Sequence, residues 1–467
     1  MLKPRSKQMN KMDEKRINPV SKLVWRLTLV VFCAILMVGF ADQSMLGPLL
    51  NPLMEDFFQD TSQVVPLGWV SFVFTILSAI SMIIAGILAD RKSRKTICLA
   101  GCLIYGSFSV LTILVPHGQA GYVFFFITRA LNGIGIGAIV PTIFSMVGDS
   151  VSANRRSISF AYISLAMLVG RMSGFLVAGS CGDKWRLAYF MLGIINLILA
   201  MGLLCIREPR RGSQEEELRH LILEGAEYRF RISREDIKFI WSNRSNFWLV
   251  VNFVDVIPAS IIIFLIFKYL KDIHNLGNDI INLTIIVVAV LGGAGTLIFG
   301  KLGDWGFQKD KRAKVIIALF CNMVPIVFMI GFLSLDFRVA EGTSLKGVLA
   351  LPVIWLMMGL IGAAMFINQG VNPNWYSTLT DINLPEHRAT LISIASFMDI
   401  MGHALGPLIG SYLATSWGLR GAMWSVLLFW MVNVGLWLPI LFHIKKDWTR
   451  IHGCLKQRAR EMEKKLK

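Results

Sequence analysis

Apolar residues run along this chain in twelve long blocks, near 27–49, 65–89, 96–115, 121–147, 158–180, 186–206, 246–270, 280–303, 313–334, 348–372, 390–414 and 421–443. Each is close to the roughly 20 residues a helix needs to cross a hydrocarbon layer about 30 Å thick. Lipid offers no partner to a backbone amide, so such segments must pair their own donors and acceptors, and helices do this. The many glycines inside the blocks suit close helix–helix approach. The expectation is an all-α integral membrane protein of twelve transmembrane helices, with a basic tail over 1–26 and a six-helix bundle over 27–206. A linker over 207–245, a second bundle over 246–443 and a basic tail over 444–467 complete it.

Composition agrees. Of 467 residues, 55% are hydrophobic and only 16% charged, with a mean hydropathy of +0.60, against about 25% charged in soluble domains. The net charge of +17 would suggest nucleic acid in a soluble protein, but the basic residues lie between apolar blocks. Most of the 47 Lys and Arg fall in the N-terminal tail, at 91–95, 155–156, 207–244 and 301–314, at Arg388 and after Lys445. By the positive-inside rule both termini are cytoplasmic and a plasma-membrane location is expected, with no nucleic-acid partner. The tail after Lys445 suits anionic headgroups. The seven cysteines read as small core residues; no further ligand near Cys98 and Cys102 completes a metal set.

The two halves repeat. Ile298-Phe299-Gly300-Lys301-Leu302-Gly303-Asp304 echoes Ile84-Ala85-Gly86-Ile87-Leu88-Ala89-Asp90, 214 residues apart, and Asp42 and Asp255 are 213 apart. Pro141 and Pro373, Asp149 and Asp381, Arg156 and Arg388, Gly170 and Gly402, and Gly174 and Gly406 all share an offset of 232. Two pseudo-symmetric six-helix bundles with a midplane site between them are what such a parallel repeat predicts.

Ionisable groups within spans cost about 2.5–3.5 kcal/mol each on insertion scales and so require a reason. Asp42 lies about 22 Å into the first span, and Arg129 about 12 Å from the other end of the fourth, which brings them to similar depth. Two roles fit such a pair: a permanent structural ion pair, or a proton exchanged at Asp42 when the pair opens. Asp255 has no arginine counterpart, because Ile361 stands where Arg129 would map. Arg171 and His403 are repeat equivalents that either attract an anionic group from a central cavity or satisfy helix carbonyls. Asp399 lies one turn before His403. In the tenth span Asn368, Gln369, Asn372, Asn374 and Trp375 either bind a solute or pack helices. No arrangement supports covalent catalysis, and no phosphate-binding loop for ATP is present.

The stretch Gly86-x3-Asp90-Arg91-x2-Arg94-Lys95 resembles the signature loop between helices two and three of the major facilitator superfamily. Arg129-x3-Gly133-x-Gly135-x-Gly137 resembles its fourth-helix motif, and Asp149 with Arg155-Arg156 its following turn. A weaker resemblance joins Phe40-Ala41-Asp42-Gln43 and Glu208-Pro209-Arg210-Arg211-Gly212 to the spinster-like lipid transporters and related organic-anion symporters. Those families usually carry Asp-Arg where this chain has Asp42-Gln43. The resemblance implies alternating access, commonly driven by a proton gradient, with no bound cofactor. It further implies that Asp90, with Arg91, Arg94, Asp149 and Arg156, latches the outward-facing state, Asp90 meeting the eleventh helix near Arg388. The second copy at Gly300, Asp304 and Asp381 is degraded, so an asymmetric latch is expected.

The expectation is therefore a non-enzymatic secondary transporter, acting as a monomer, that moves a small organic solute, anionic or amphipathic. An exporter of hydrophobic drugs or cations, an uncoupled facilitator and a transporter-like nutrient sensor are the alternatives.

Overall fold

The computed structural model describes residues 22–62, 64–150, 153–206, 208, 240–383 and 385–466. Among them, ten helical stretches are long and apolar enough to cross a membrane. Two of these, Tyr162–Leu204 with 43 residues and Ile394–Cys454 with 61, are far longer than one crossing of about 20 residues requires. The first is broken by a 3-10 turn at Gly182–Lys184. The second reverses at Gly418, whose φ of 72° and ψ of 169° lie outside the helical region and suit a residue without a Cβ. Twelve crossings result, and they return the chain to the face it started from, called here the terminal face; the other is the distal face.

The first span, Lys22–Ser44, ends earlier than the expected 49, at a turn through Gly47-Pro48. A short helix follows, Leu50–Phe58, burying Leu50, Leu53, Met54 and Phe57. This i, i+3, i+4, i+7 face lies across the distal end of the fourth span, where Phe57 meets Tyr122, Phe125 and Trp185. The next five spans are Val65–Arg91, Arg94–Leu111, Gly118–Ser150, Ala153–Cys181 and Trp185–Leu204.

The seventh and tenth spans are interrupted. The seventh runs as Arg244–Val251, a 3-10 turn at Asn252–Asp255, and Val256–Asp272. The tenth runs as Pro352–Asn368 and Val371–Asp381, so it extends past the expected 372. Asn278–Lys309 and Ala313–Leu333 form the eighth and ninth spans.

The offset of 232 has a packing meaning. A Cβ on Gly170 or Gly174 would stand 2.3 Å from the Met37 carbonyl oxygen or 2.0 Å from that of Ala41, which joins the fifth span to the first. A Cβ on Gly402 would stand 2.6 Å from the Phe253 carbonyl, and one on Gly406 2.9 Å from that of Ile257, joining the eleventh to the seventh. Equivalent glycines thus make the equivalent close helix crossing in each half.

The halves close at the distal face. Trp69 Nε1 donates to Tyr412 Oη at 3.3 Å and Asn278 Nδ2 to the Gly179 carbonyl at 2.6 Å. Asn51 Nδ2 donates to Asp272 at 2.7 Å, and Lys268 bridges Asn51 and Asp272. Toward the terminal face a Cβ on Gly86 would meet nothing within 4 Å, and Ile83, Ile84, Ile87 and Leu88 around it are exposed. Among the described residues, the polar contacts between the halves lie at the distal face.

One distal feature is pH-sensitive. His274 is fully buried, stacked on Phe337, with Nδ1 donating to the Phe337 carbonyl at 2.9 Å and Nε2 without a partner. Burial, chiefly, holds its pKa below the usual value. The folded loop therefore binds fewer protons than the opened one, whose His titrates near 6.5. Stability is level above that pH and falls as pH drops through it, by at most about 1.4 kcal/mol per pH unit. The opening free energy over 335–343, from amide hydrogen exchange corrected for the intrinsic pH dependence of the exchange rate, is expected to fall between about pH 6.5 and about pH 5.5, and His274→Gln to abolish that fall.

Candidate functional site

Asp42 and Arg129, on the first and fourth spans, meet: Arg129 Nη1 lies 2.7 Å from Asp42 Oδ2, with the side chains 3% and 0% exposed. Asp42 Oδ1 is buried without a hydrogen-bond partner. The guanidinium lies between two rings, Phe74 and Tyr189, each with its centroid 4.8 Å away. With its amide oriented to suit its neighbours, Asn132 accepts from Arg129 Nη1 at 3.3 Å and Ser109 Oγ at 3.1 Å, and donates to the Tyr105 carbonyl at 3.1 Å. A buried cation that loses its carboxylate partner here keeps two π faces and an amide oxygen. The arrangement can hold Arg129 charged whether or not Asp42 is. Sequence reasoning missed these partners, although Asn132 follows Arg129 by one turn.

In the C-terminal half the equivalent position is uncharged. Asp255 sits at the 3-10 break of the seventh span and accepts from Asn433 Nδ2 at 2.7 Å, which also approaches Asn322 Oδ1 at 2.8 Å. Ile361, where Arg129 maps, is buried. Asp255 is thus met by an amide chain from the ninth and twelfth spans, both outside the expected set.

Arg171 is exposed although mid-span. A charged side chain exposed at that depth is costly in lipid, which favours a place in the space between the halves. Phe40 stacks beneath it, 5.1 Å from its guanidinium carbon. His403 Nδ1 pairs with Ser260 Oγ at 2.7 Å. Arg171 on the fifth span and half-buried Asp399 on the eleventh thus place one ionisable side chain in each half.

The tenth-span residues divide. Asn374 is buried and donates to the Phe299 carbonyl at 3.1 Å and the Gly370 carbonyl at 2.8 Å. Trp375 is buried and donates to the Leu249 carbonyl at 2.9 Å. Both therefore pack helices, which corrects their assignment as solute-binding candidates. Gln369 is half-buried against Gly292 at the helix break, Asn372 is exposed, and Asn368 Nδ2 is buried without a partner.

Of the gate set, the side chains of Asp90, Arg91, Asp149, Arg156 and Arg388 lie outside the described residues. Arg94 is buried, and it ties within its own half: Nε lies 3.2 Å from Glu208 Oε1 and Nη1 donates to Ser145 Oγ at 3.0 Å. Glu208 also accepts from Ser93 Oγ at 2.6 Å and from the Arg94 amide at 2.9 Å, a carboxylate at a helix N-terminus. Burial alone would raise its pKa, but these hydrogen bonds outweigh it and hold the carboxyl low. In the second copy Lys314 lies 2.7 Å from Asp381 and 3.4 Å from exposed Asp304, while Gly300 packs on Pro373.

A family model described as Major Facilitator Superfamily matches residues 31–366. The multidrug resistance protein MdtG of Escherichia fergusonii is 24% identical over 85% of this chain and 90% of its own. Protein spinster of Drosophila melanogaster is 25% identical over 85% of this chain and 62% of its own. Among solved structures, a bacterial homologue of the human lysosomal transporter Spinster, inward-facing and unoccupied, superposes with a TM-score of 0.70 at 16% identity. It covers 91% of this chain and 99% of that one. The D-xylose–proton symporter superposes with a TM-score of 0.64 at 17% identity, over 90% and 99%.

Proposed function

The chain belongs to the major facilitator superfamily, and from that premise we propose that it is a proton-coupled transporter of a small organic solute carrying an anionic group. Secondary transport by alternating access is the activity of the family. The coupling assignment rests on one observation, the fully buried Asp42–Arg129 pair with an unpartnered carboxylate oxygen. Protonating Asp42 cancels the ion pair while the Phe74 and Tyr189 rings and Asn132 retain Arg129, so the arginine keeps partners in either state. The proton then comes from the transmembrane gradient and no cofactor is required. Arg171 recruits the anionic group through bidentate contact, with Gln369 and Asn372 of the tenth span as further polar candidates.

The likeness to a proton symporter and to spinster proteins supports this reading. The terminal face is cytoplasmic, on the charge asymmetry of the connections, the membrane is the plasma membrane, and one chain suffices. A second reading, export of hydrophobic cations, draws on half-buried Asp399 of the eleventh span and on the multidrug relatives.

A thermal-shift screen of solutes separates the two, since bound ligands stabilise by mass action. With the solute so found, Asp42→Asn in proteoliposomes is expected to lose pH-driven uptake and retain counterflow. Unchanged pH-driven uptake removes Asp42 from coupling, and stabilisation by organic cations alone favours the exporter.

A further inference from the structure

At the terminal face a cavity of about 590 Å³ opens between the start of the ninth span and the extension of the twelfth, lined by Arg312, Phe442, Lys445, Lys446, Thr449 and Arg450. We infer that it binds the phosphate-bearing headgroup of a net-anionic phospholipid. Four of those six side chains are cationic and none is acidic.

The acids nearby are directed elsewhere. Asp447 is buried, accepts from the Ser245 amide at 2.9 Å and does not line the cavity. Asp310 accepts from the Arg312 amide at 3.0 Å and does not line the cavity. Arg312 Nε has no hydrogen-bond partner, so its guanidinium retains donor capacity. Arg450 donates to the Ser242 carbonyl at 3.2 Å, which anchors the helix beside the cavity.

The helix face decides between a free anion and a lipid. Leu428, Val432, Leu438 and Phe442 form one stripe along the twelfth span and are 45–72% exposed, Phe442 the most. Helical spacing carries that same stripe on to Lys446, Thr449 and Gly453. The face that meets acyl chains therefore becomes the cationic face without turning away. Lys445 lies about 4.5 Å and Thr449 about 10 Å beyond Phe442 along the axis, which brackets a headgroup layer about 5–7 Å deep. Only an amphiphile touches Phe442 and the cations together.

The test uses the full chain in neutral-detergent micelles, with bound lipid counted by native mass spectrometry and thermal unfolding followed in parallel. Phosphatidylglycerol is expected to bind at least about tenfold more tightly than phosphatidylcholine. Lys445→Gln with Lys446→Gln should reduce it to the phosphatidylcholine level, while Lys445→Arg with Lys446→Arg keeps the preference and shows that the fold tolerates change there. The same charge loss on the distal face, Arg338→Gln with Lys346→Gln, should leave it intact. The inference is overturned if the paired Gln variant retains the preference, if the two lipids bind alike, or if inorganic phosphate stabilises as much as phosphatidylglycerol. That last result assigns the cavity to a free anion.

Discussion

Arg129→Gln is expected to cost about 3–5 kcal/mol of stability, the largest loss of any single substitution at the site, because it leaves the Asp42 carboxylate buried and unpaired. Asp42 is 0% exposed and Arg129 is its sole ion-pair partner among the described residues. The variant relieves this only by binding a proton at Asp42, so its unfolding should depend on pH more steeply than the parent's. Asp42→Asn costs less, since Phe74, Tyr189 and Asn132 remain around the arginine. Combining the two neutralises both partners, and the loss should be smaller than the sum of the single losses by about 1–3 kcal/mol. Unfolding of the purified protein in mixed micelles, as a double-mutant cycle, measures this. Additive losses would mean the pair contributes nothing as a pair and that the site is ordinary packing.

The contrast with the other half explains why one pair carries this weight. Asp255 is the repeat partner of Asp42, yet a neutral amide from Asn433 satisfies it, and buried Ile361 stands in for the arginine. A carboxyl that accepts from an amide is held without an opposing charge, so its protonation does not strand a cation. The fold is symmetric while the electrostatics are not.

The spans, the repeat and the Asp42–Arg129 proximity were legible because each depends on something one-dimensional. Lipid thickness sets block length, duplication sets the offset of 232, and rise per residue sets depth. What depended on rotation about a helix axis was not legible. Where all faces of a span are apolar, hydropathy does not say which side chain meets a neighbour, so Asn374 and Trp375 could not be separated from cavity residues. The breaks at Asn252–Asp255 and after Asn368 were hidden for the same reason. The helix Leu50–Phe58 did carry a signal in the spacing of Leu50, Leu53, Met54 and Phe57, masked by the apolar run it continues. Glu208 was readable as part of a motif, but its capping of Ser93 and Arg94 joins positions more than a hundred residues apart.

Gly68→Val is expected to shift the conformational equilibrium toward a distally open state by about ten- to a hundredfold. A Cβ at 68 would stand 2.2 Å from Ser411 Oγ, 2.8 Å from Ser411 Cβ and 3.1 Å from the Pro407 carbonyl oxygen. Ser411 cannot easily swing aside, because its hydroxyl donates to the Leu408 carbonyl at 2.7 Å within the helix. The clash exists only while the second and eleventh spans touch, so overpacking of about 1–3 kcal/mol acts on the closed state alone and becomes a population shift. At about 1.4 kcal/mol per tenfold, that sets the expected range. Spin labels at Thr61→Cys and Glu341→Cys, exposed on distal loops of opposite halves, report it as a longer inter-label distance in a background without reactive cysteines. Because the Asn51, Lys268 and Asp272 contacts also bridge the halves there, an unchanged distance distribution would place the closure energy in that polar cluster rather than in the glycine crossing. Gly68→Ala, which adds only the clashing Cβ, should then shift nothing either.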